Sequence, residues 1–416
     1  MWRAAYRLLL WFAFPFVLAR LWWRGRYEPA YRQNIAERFG FYPTSPARPV
    51  IWLHAVSVGE TRAAEPLLHA LRSRHPDCDL LITQMTATGR EAAQQLFGGA
   101  ALVAWLPYDY PSAVRRFLGS FRPRLGILME TEIWFHVVGE CRRSRVPLLL
   151  ANARMSAKSA RSYAAVAPLV RVALGGLSAV AAQTTEDAER LRSLGARDVE
   201  VTGNLKFDAD LKAGSESLAA QFRHRFGSRA VLLAASTREG EEELLLDALE
   251  KKALGDAILV IVPRHPQRFD VVARLLASRG LKFIRRSANT PLEGDCYIVL
   301  GDSMGEMTAY YRACDLAFVG GSLLSYGGQN LIEACAAGVP VLFGPYTYNF
   351  ARAAESAVAA GAALRVNSAE EVIRVARSIL QDAGLRERMG KAGIAFCAAH
   401  RGATERTLAI CERLLG

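Results

Sequence analysis

The stretch from Cys314 to Phe350, CDLAFVGGSLLSYGGQNLIEACAAGVPVLFGPYTYNF, constrains the fold more than any other part of the chain. LAFV is an apolar, β-prone run ending in two glycines, the pattern of a buried parallel strand that opens into a turn. A second pair, Gly327 and Gly328, precedes Gln329, Asn330 and an amphipathic run from Leu331 to Ala337. Asn330 is placed to cap a helix, Glu333 falls in its first turn, Gly338 stops it, and VPVLFG is a second buried strand. The segment is therefore a βαβ unit. Its glycines either serve tight turns or let backbone amides face an anion. There is no G-x-G-x-x-G after the strand and no G-K-[ST]. A phosphate bound here would be held by amides and the helix dipole, without a P-loop lysine.

The same plan recurs along the chain. VIWLHAV is a strand, SVGE a loop, and the run after it has helical periodicity, so Glu60 sits where a strand meets a helix N-terminus. A carboxylate there is either a partner for the helix dipole or a general base. DLLITQ leads to Thr86, Thr88 and Gly89; PRLGILM runs into Glu130, Thr131 and Glu132; VPLLLANARMS ends at Asn152 and Arg154. A strand and a helix capped at Thr185 follow, and VEVTGNLKFD closes this half. Residues 211–228 are polar and lack strands. AVLLAASTREGEEELLLDAL and AILVIVPRHPQRF then restart the pattern, the latter with Pro263, Arg264 and His265 in its loop, and the tail from Glu370 to Leu415 is helical throughout. With 416 residues, two cores are expected. The division is residues 1–45 as an N-terminal segment, 46–212 as a first domain and 213–416 as a second. Each domain is an open α/β sheet with polar loops at the strands' carboxyl ends, and active sites of such pairs lie in the cleft the domains face.

The net charge of +12 favours anionic partners. Seven arginines and two acids within residues 1–38 supply five of those charges. There is no Lys-rich run and no zinc-finger spacing, so nucleic acid is not expected as a partner. LLLWFAFPFVLARLWW, residues 8–23, is shorter than the ~20 apolar residues of a comfortable span, contains Pro15 and Arg20, and lacks a signal-peptidase site. Trp11, Trp22 and Trp23 beside arginines suit the headgroup interface. The segment reads as a monotopic anchor, a short signal-anchor on the cytoplasmic face, or a helix packed on its own domain. The seven scattered cysteines contain no C-x-x-C and read as reduced thiols.

No G-x-S-x-G, H-E-x-x-H or Cys/His ligand cluster is present, and His54 and His265 are isolated, so neither a metal nor a cofactor is expected. What remains is a nucleotide-phosphate cradle in the second half, a carboxylate in the first, and a membrane-facing N-terminus. That set fits glycosyl transfer from a sugar nucleotide, with a carboxylate deprotonating the acceptor hydroxyl. WLHAVSVGE (52–60), METEIW (129–134), NARMS (152–156), GNLKFD (203–208), STREGE (236–241), PRHP (263–266), GDSMGEM (301–307), GGQNLIE (327–333) and GPYTYNF (344–350) occur in this order. On these motifs the chain resembles the 3-deoxy-D-manno-octulosonic acid (Kdo) transferases of lipopolysaccharide synthesis.

The resemblance implies a GT-B fold, CMP-Kdo as donor, lipid IVA as acceptor, and inverting, metal-independent transfer at the cytoplasmic face of the inner membrane. By position Glu60 matches the family's general base. Glu132 and Lys206 match residues near the Kdo carboxylate. Arg264, Gly305 and Glu306 match donor-binding positions, and Gly327, Gly328, Asn330 and Glu333 match the loop and helix that hold phosphate and ribose. Two departures stand out: Gln329 where the family often has His, and Phe135-His136 where it often has Pro-Asn. The first removes a proton donor; the second bears on local loop shape. A sugar-nucleotide epimerase would share fold and cradle, and a basic non-catalytic binding protein would share only the charge.

Overall fold

The structure is a computed structural model and describes all residues except 1, 44, 210–213, 250–253, 291 and 293–295. The side chains of residues 2–5, 7–9 and 27 also lie outside the described residues, Arg3, Arg7 and Leu8 among them. The chain forms two compact units, Met1–Ala209 with His400–Gly416, and Asp210–Ala399. The expected boundary at 212/213 falls outside the described residues. The expected second domain, however, ran to residue 416, whereas the last helix, Ala403–Leu415, belongs to the first unit.

The first unit carries seven strands: β1 (Val50–His54), β2 (Asp79–Gln84), β3 (Leu102–Trp105), β4 (Pro123–Met129), β5 (Leu148–Ala153), β6 (Ala179–Ala182) and β7 (Val199–Val201). All pairings are parallel, in the order β3-β2-β1-β4-β5-β6-β7. Its strands are apolar nearly throughout because helices cover both faces. Alternate residues supply the two cores: Val50, Trp52, Leu128 and Leu150 pack with Phe117 and Phe121, and Ile51, Leu53, Ile127 and Leu149 pack with Leu67 and Leu68. Leu408, Ile410 and Cys411 of the last helix complete the second core, which is why that helix sits here. Asp208 holds its start, accepting Gly402 N at 2.7 Å and Thr404 N at 2.5 Å.

The second unit repeats the plan with β8 (Val231–Thr237), β9 (Ile258–Pro263), β10 (Phe283–Arg285), β11 (Ile298–Leu300), β12 (Leu316–Val319), β13 (Val341–Phe343) and β14 (Ala363–Arg365). It too is parallel, in the order β10-β11-β9-β8-β12-β13-β14. Strand β14 escapes the sequence reading because three edge residues with one buried carry no periodicity. The cap of the helix Thr185–Ser193 is Thr184, whose hydroxyl accepts Asp187 N at 3.1 Å, one residue before the expected cap.

The N-terminal helix, Trp2–Tyr27, packs one face on its own unit. Tyr6 meets the rings of Phe135 and His136 at 4.9 and 5.1 Å and donates to Asp109 at 3.0 Å. Phe14 lies against Phe39 and Tyr110, and Leu21 is buried with Tyr31 and Trp105. Its other face exposes Trp11, Phe12, Phe16, Trp22 and Trp23, each 58–76% accessible. Among the described residues no helix is long and apolar enough to cross a membrane.

Replacing Asp208 with alanine strips two amides of their acceptor at a helix start. It should lower the stability of the first unit by about 1 kcal/mol, read as an earlier unfolding midpoint in denaturant.

Candidate active site

In the first sheet the chain winds one way from β1 to β2 and the other way from β1 to β4, so loops leaving β1 and β4 diverge and open a crevice between them. Three carboxylates sit there. Glu60 lies in the first turn of the helix Val58–Ala63. Ser57 caps this helix by accepting Glu60 N at 3.3 Å, and its hydroxyl donates back to Glu60 Oε1 at 3.1 Å. Val56 N donates to Glu60 Oε2 at 2.8 Å. The arrangement resembles a capping box, with the return bond coming from the amide before the N-cap, so Glu60 is a dipole partner in the plain structural sense. Its electrostatics go further. Burial, above all, pushes its carboxyl up to about 7; the Val56 amide opposes the shift, and Glu130 and Glu132 reinforce it.

Glu130 follows β4 with a left-handed backbone, φ 56°, unusual for a side chain with a Cβ. Lys206 Nζ reaches Glu130 Oε1 at 2.8 Å, both side chains largely buried. Lys206 stands on the turn Leu205–Phe207, whose Leu205 N donates to the fully buried Asn152 Oδ1 at 3.1 Å. Glu132 accepts Trp134 Nε1 at 2.9 Å, and burial and then Glu130 raise its pKa despite that bond. Glu130 and Glu132 both act on Glu60, and Lys206 joins the group through Glu130. The acid paired with the lysine is Glu130, which the sequence reading left as one of two acids at a strand end. Only the backbone turn at Glu130 separates the two.

Phe135 and His136 do more than shape a loop. They begin the helix Phe135–Arg143, where Asp109 accepts His136 N at 3.0 Å and Val137 N at 2.9 Å, and they receive Tyr6. His54 is structural: wholly buried, bonded through Nδ1 to Thr83, and held down to about 4 by burial.

The second sheet switches direction between β8 and β12. Arg238, Arg264 and Arg268 flank His265 at the ends of β8 and β9. Partial burial first, then these three cations, hold the imidazole below its ordinary pKa. Arg264 N donates to Thr237 O at 3.0 Å. Glu306 is gripped by Arg286 Nε and Nη2, both at 3.1 Å, and by Ser303 Oγ at 2.5 Å, beside Gly305 at φ 77°. Gly327 and Gly328 adopt φ 90° and 77°. The positive φ favours glycine at Gly327, and a Cβ there would displace the Asn349 side chain, whose Nδ2 lies 2.3 Å from its position. Asn330 Oδ1 accepts Ile332 N at 3.1 Å and its Nδ2 donates to Glu333 Oε1 at 3.0 Å.

One expectation needs correction. The amides after β12 do not stand open for a phosphate: Gly321, Ser322 and Leu323 donate to the buried Glu241 carboxylate at 2.6, 2.9 and 2.9 Å. Gly328 N donates to Gly321 O at 2.6 Å. The three amides after β12 are thus taken by Glu241, while Arg238, Arg264 and Arg268 stand at the same edge.

The fold has relatives among solved structures. A UDP-GlcNAc 2-epimerase from Neisseria meningitidis bound to UDP-GlcNAc aligns with a TM-score of 0.61 at 18% identity over 88% of this chain and 100% of its own. A glycosyltransferase from Rickettsia africae aligns at 0.60 and 13% identity, over 89% and 99%. Residues 239–396 match the family model of glycosyl transferases group 1, and the chain is a glycosyltransferase of GT-B-like fold. Residues 33–209 match the model of 3-deoxy-D-manno-octulosonic-acid transferase. Over the whole of both chains it is 43% identical to a 3-deoxy-D-manno-octulosonic acid transferase of Bordetella pertussis. It is 36% identical to one from Haemophilus influenzae, over 100% of this chain and 99% of that one. The chain belongs to the Kdo transferase family.

The raised Glu60 pKa has a stability consequence. The unfolded chain loses this proton near the ordinary 4.5 and the folded chain near 7, so ionisation of Glu60 favours unfolding progressively between those values and fully above them. Glu60→Gln should therefore raise the melting temperature at pH 8 relative to the native protein by more than it does at pH 4.

Proposed function

We propose that the protein transfers Kdo from CMP-Kdo to lipid IVA in lipopolysaccharide synthesis, inverting the anomeric centre, with Glu60 as general base. The observation that carries this reading is the Glu60 carboxyl, crowded by Glu130 and Glu132 and pushed up to about 7, beside the Lys206–Glu130 pair. A base poised near neutral pH accepts a hydroxyl proton with the smallest combined penalty of wrong protonation state and weak driving force. Glu60 takes the proton of the acceptor hydroxyl as its oxygen attacks the anomeric carbon, and the bond to the CMP phosphate breaks. Lys206, oriented by Glu130, supplies a cation for the Kdo carboxylate, and Glu132 lines the same crevice. On the second unit Arg264 and its neighbouring arginines offset the charge that grows on the leaving phosphate. Gly305, Glu306, Gly327, Gly328, Asn330 and Glu333 bind the rest of the nucleotide sugar. No step calls on a metal.

We place the protein on the cytoplasmic face of the inner membrane. The N-terminal helix lies on the phospholipid: its inner face is taken by Phe14, Leu21 and Tyr6 contacts, and its outer face offers five exposed aromatic side chains flanked by Arg20, Arg24 and Arg26.

Two measurements test these readings. With CMP-Kdo and lipid IVA in detergent, native kcat/KM should climb with pH and level off above about 7. Glu60→Gln should lose about 100- to 10,000-fold and the climb itself. A folded variant with near-native turnover would remove Glu60 from the role. In flotation with vesicles containing an anionic phospholipid, Phe12→Ser/Phe16→Ser/Trp22→Ser should release most of the bound protein. Unchanged flotation would remove the helix as the membrane contact.

A further inference from the structure

The helix Glu241–Ala248 begins with an acid that the transfer reaction leaves unassigned. Glu241 is wholly buried. Its Oε2 accepts Arg238 N at 2.9 Å and Gly321 N at 2.6 Å; its Oε1 accepts Ser322 N and Leu323 N, each at 2.9 Å. Four backbone amides from two loops thus converge on one carboxylate with no surface left for a ligand. Such a group acts on what it holds.

What it holds is connected. Gly321 O accepts Gly328 N at 2.6 Å, tying the glycine turn ahead of Asn330 and Glu333 to the same loop. Ser322 O accepts Tyr346 N at 2.9 Å, and Ser322 Oγ accepts Gly344 N at 2.8 Å, so the exit loop of β13 is tied as well. A Cβ on Gly320 would meet Thr237 Cα at 2.7 Å, and one on Gly344 would meet Ser322 O at 2.2 Å, so the backbones of these loops pack closely against one another. On the β8 side the anchored Arg238 carries its guanidinium over the Tyr326 ring at 4.5 Å.

We infer that Glu241 is a positioning residue for the nucleotide-sugar donor: its buried carboxylate sets, through the 321–323 loop, the placement of Arg238, the Gly327–Gly328 turn and the Asn330–Glu333 pair. This rests on the assignment of donor binding to the second unit. Glutamine at this place turns an NH2 toward two N–H donors, which removes two acceptors and sets donors against one another. The loop then relaxes away from the donor while the acceptor crevice of the first unit is untouched.

The experiment compares native protein with Glu241→Gln, measuring CMP binding by calorimetry and steady-state transfer with each substrate varied in turn. Expected is a rise of about tenfold or more in the CMP dissociation constant and the donor KM together, with the lipid KM within about twofold and kcat largely retained at saturating donor. A purely structural role would lower thermal stability without this split; unchanged donor affinity, or equal change in both KM values, overturns the inference. Should Glu241→Gln fail to fold, Ser322→Ala leaves the carboxylate and its four amides in place and removes the hydroxyl's bonds to Gly344 N and Val319 O, loosening the 321–323 loop from the exit of β13. It should raise donor KM alone by about threefold, and an unchanged donor KM overturns the inference. Native protein that does not bind CMP would instead overturn the donor assignment itself, and the inference with it.

Discussion

Every strand in both sheets runs parallel, and this one constraint organises the molecule. Parallel strands end on the same side, so all loops that follow them gather along one edge of each sheet, and the reversal of winding opens a crevice at one point along it. In the first unit that point lies between β1 and β4 and holds Glu60, Glu130 and Glu132. In the second it lies between β8 and β12 and holds Arg238, Glu241 and the glycine loop. Chemistry-bearing residues far apart in sequence meet because the topology leaves their loops nowhere else to open.

The two edges use carboxylates in opposite ways. Glu60 receives one amide and one hydroxyl, faces two further acids, and is destabilised as an anion. Glu241 receives four amides and is consumed by them. The number of donors separates the two: Glu60 accepts two hydrogen bonds beside like charges and its carboxyl is raised, whereas both Glu241 oxygens are taken up by backbone amides. The Lys206–Glu130 pair lies between these cases, since its lysine cancels part of the charge that acts on Glu60.

The N-terminal helix serves the same edge from outside. Tyr6 rests on Phe135 and His136, which open the helix after the METEIW loop, and Asp109 ties the two together. The helix is thereby joined to the segment that carries Glu130 and Glu132, while its aromatic outer face remains exposed.

Most strands and the two-sheet plan were legible in sequence because burial on both faces demands continuous apolar runs; two caps were displaced by one residue, to Thr184 from Thr185 and to Leu331 from Asn330. Glu60, Glu132, Lys206 and Arg264 stood out as candidates because each follows a strand within a recognisable motif. Other features depended on through-space contact and left no local mark. The last helix joined the first unit because Leu408 and Cys411 fit a core some 200 residues earlier in the chain. Glu130, rather than its neighbour two places on, meets Lys206, and it does so from a left-handed backbone that sequence does not announce. The glycine loop's amides went to Glu241, a residue whose sequence context shows only an acid at a helix start. Local pattern determined which elements form and where their loops open; tertiary packing alone decided which donors and acceptors find each other, since hydrogen bonds and desolvation depend on neighbours that sequence spacing does not name.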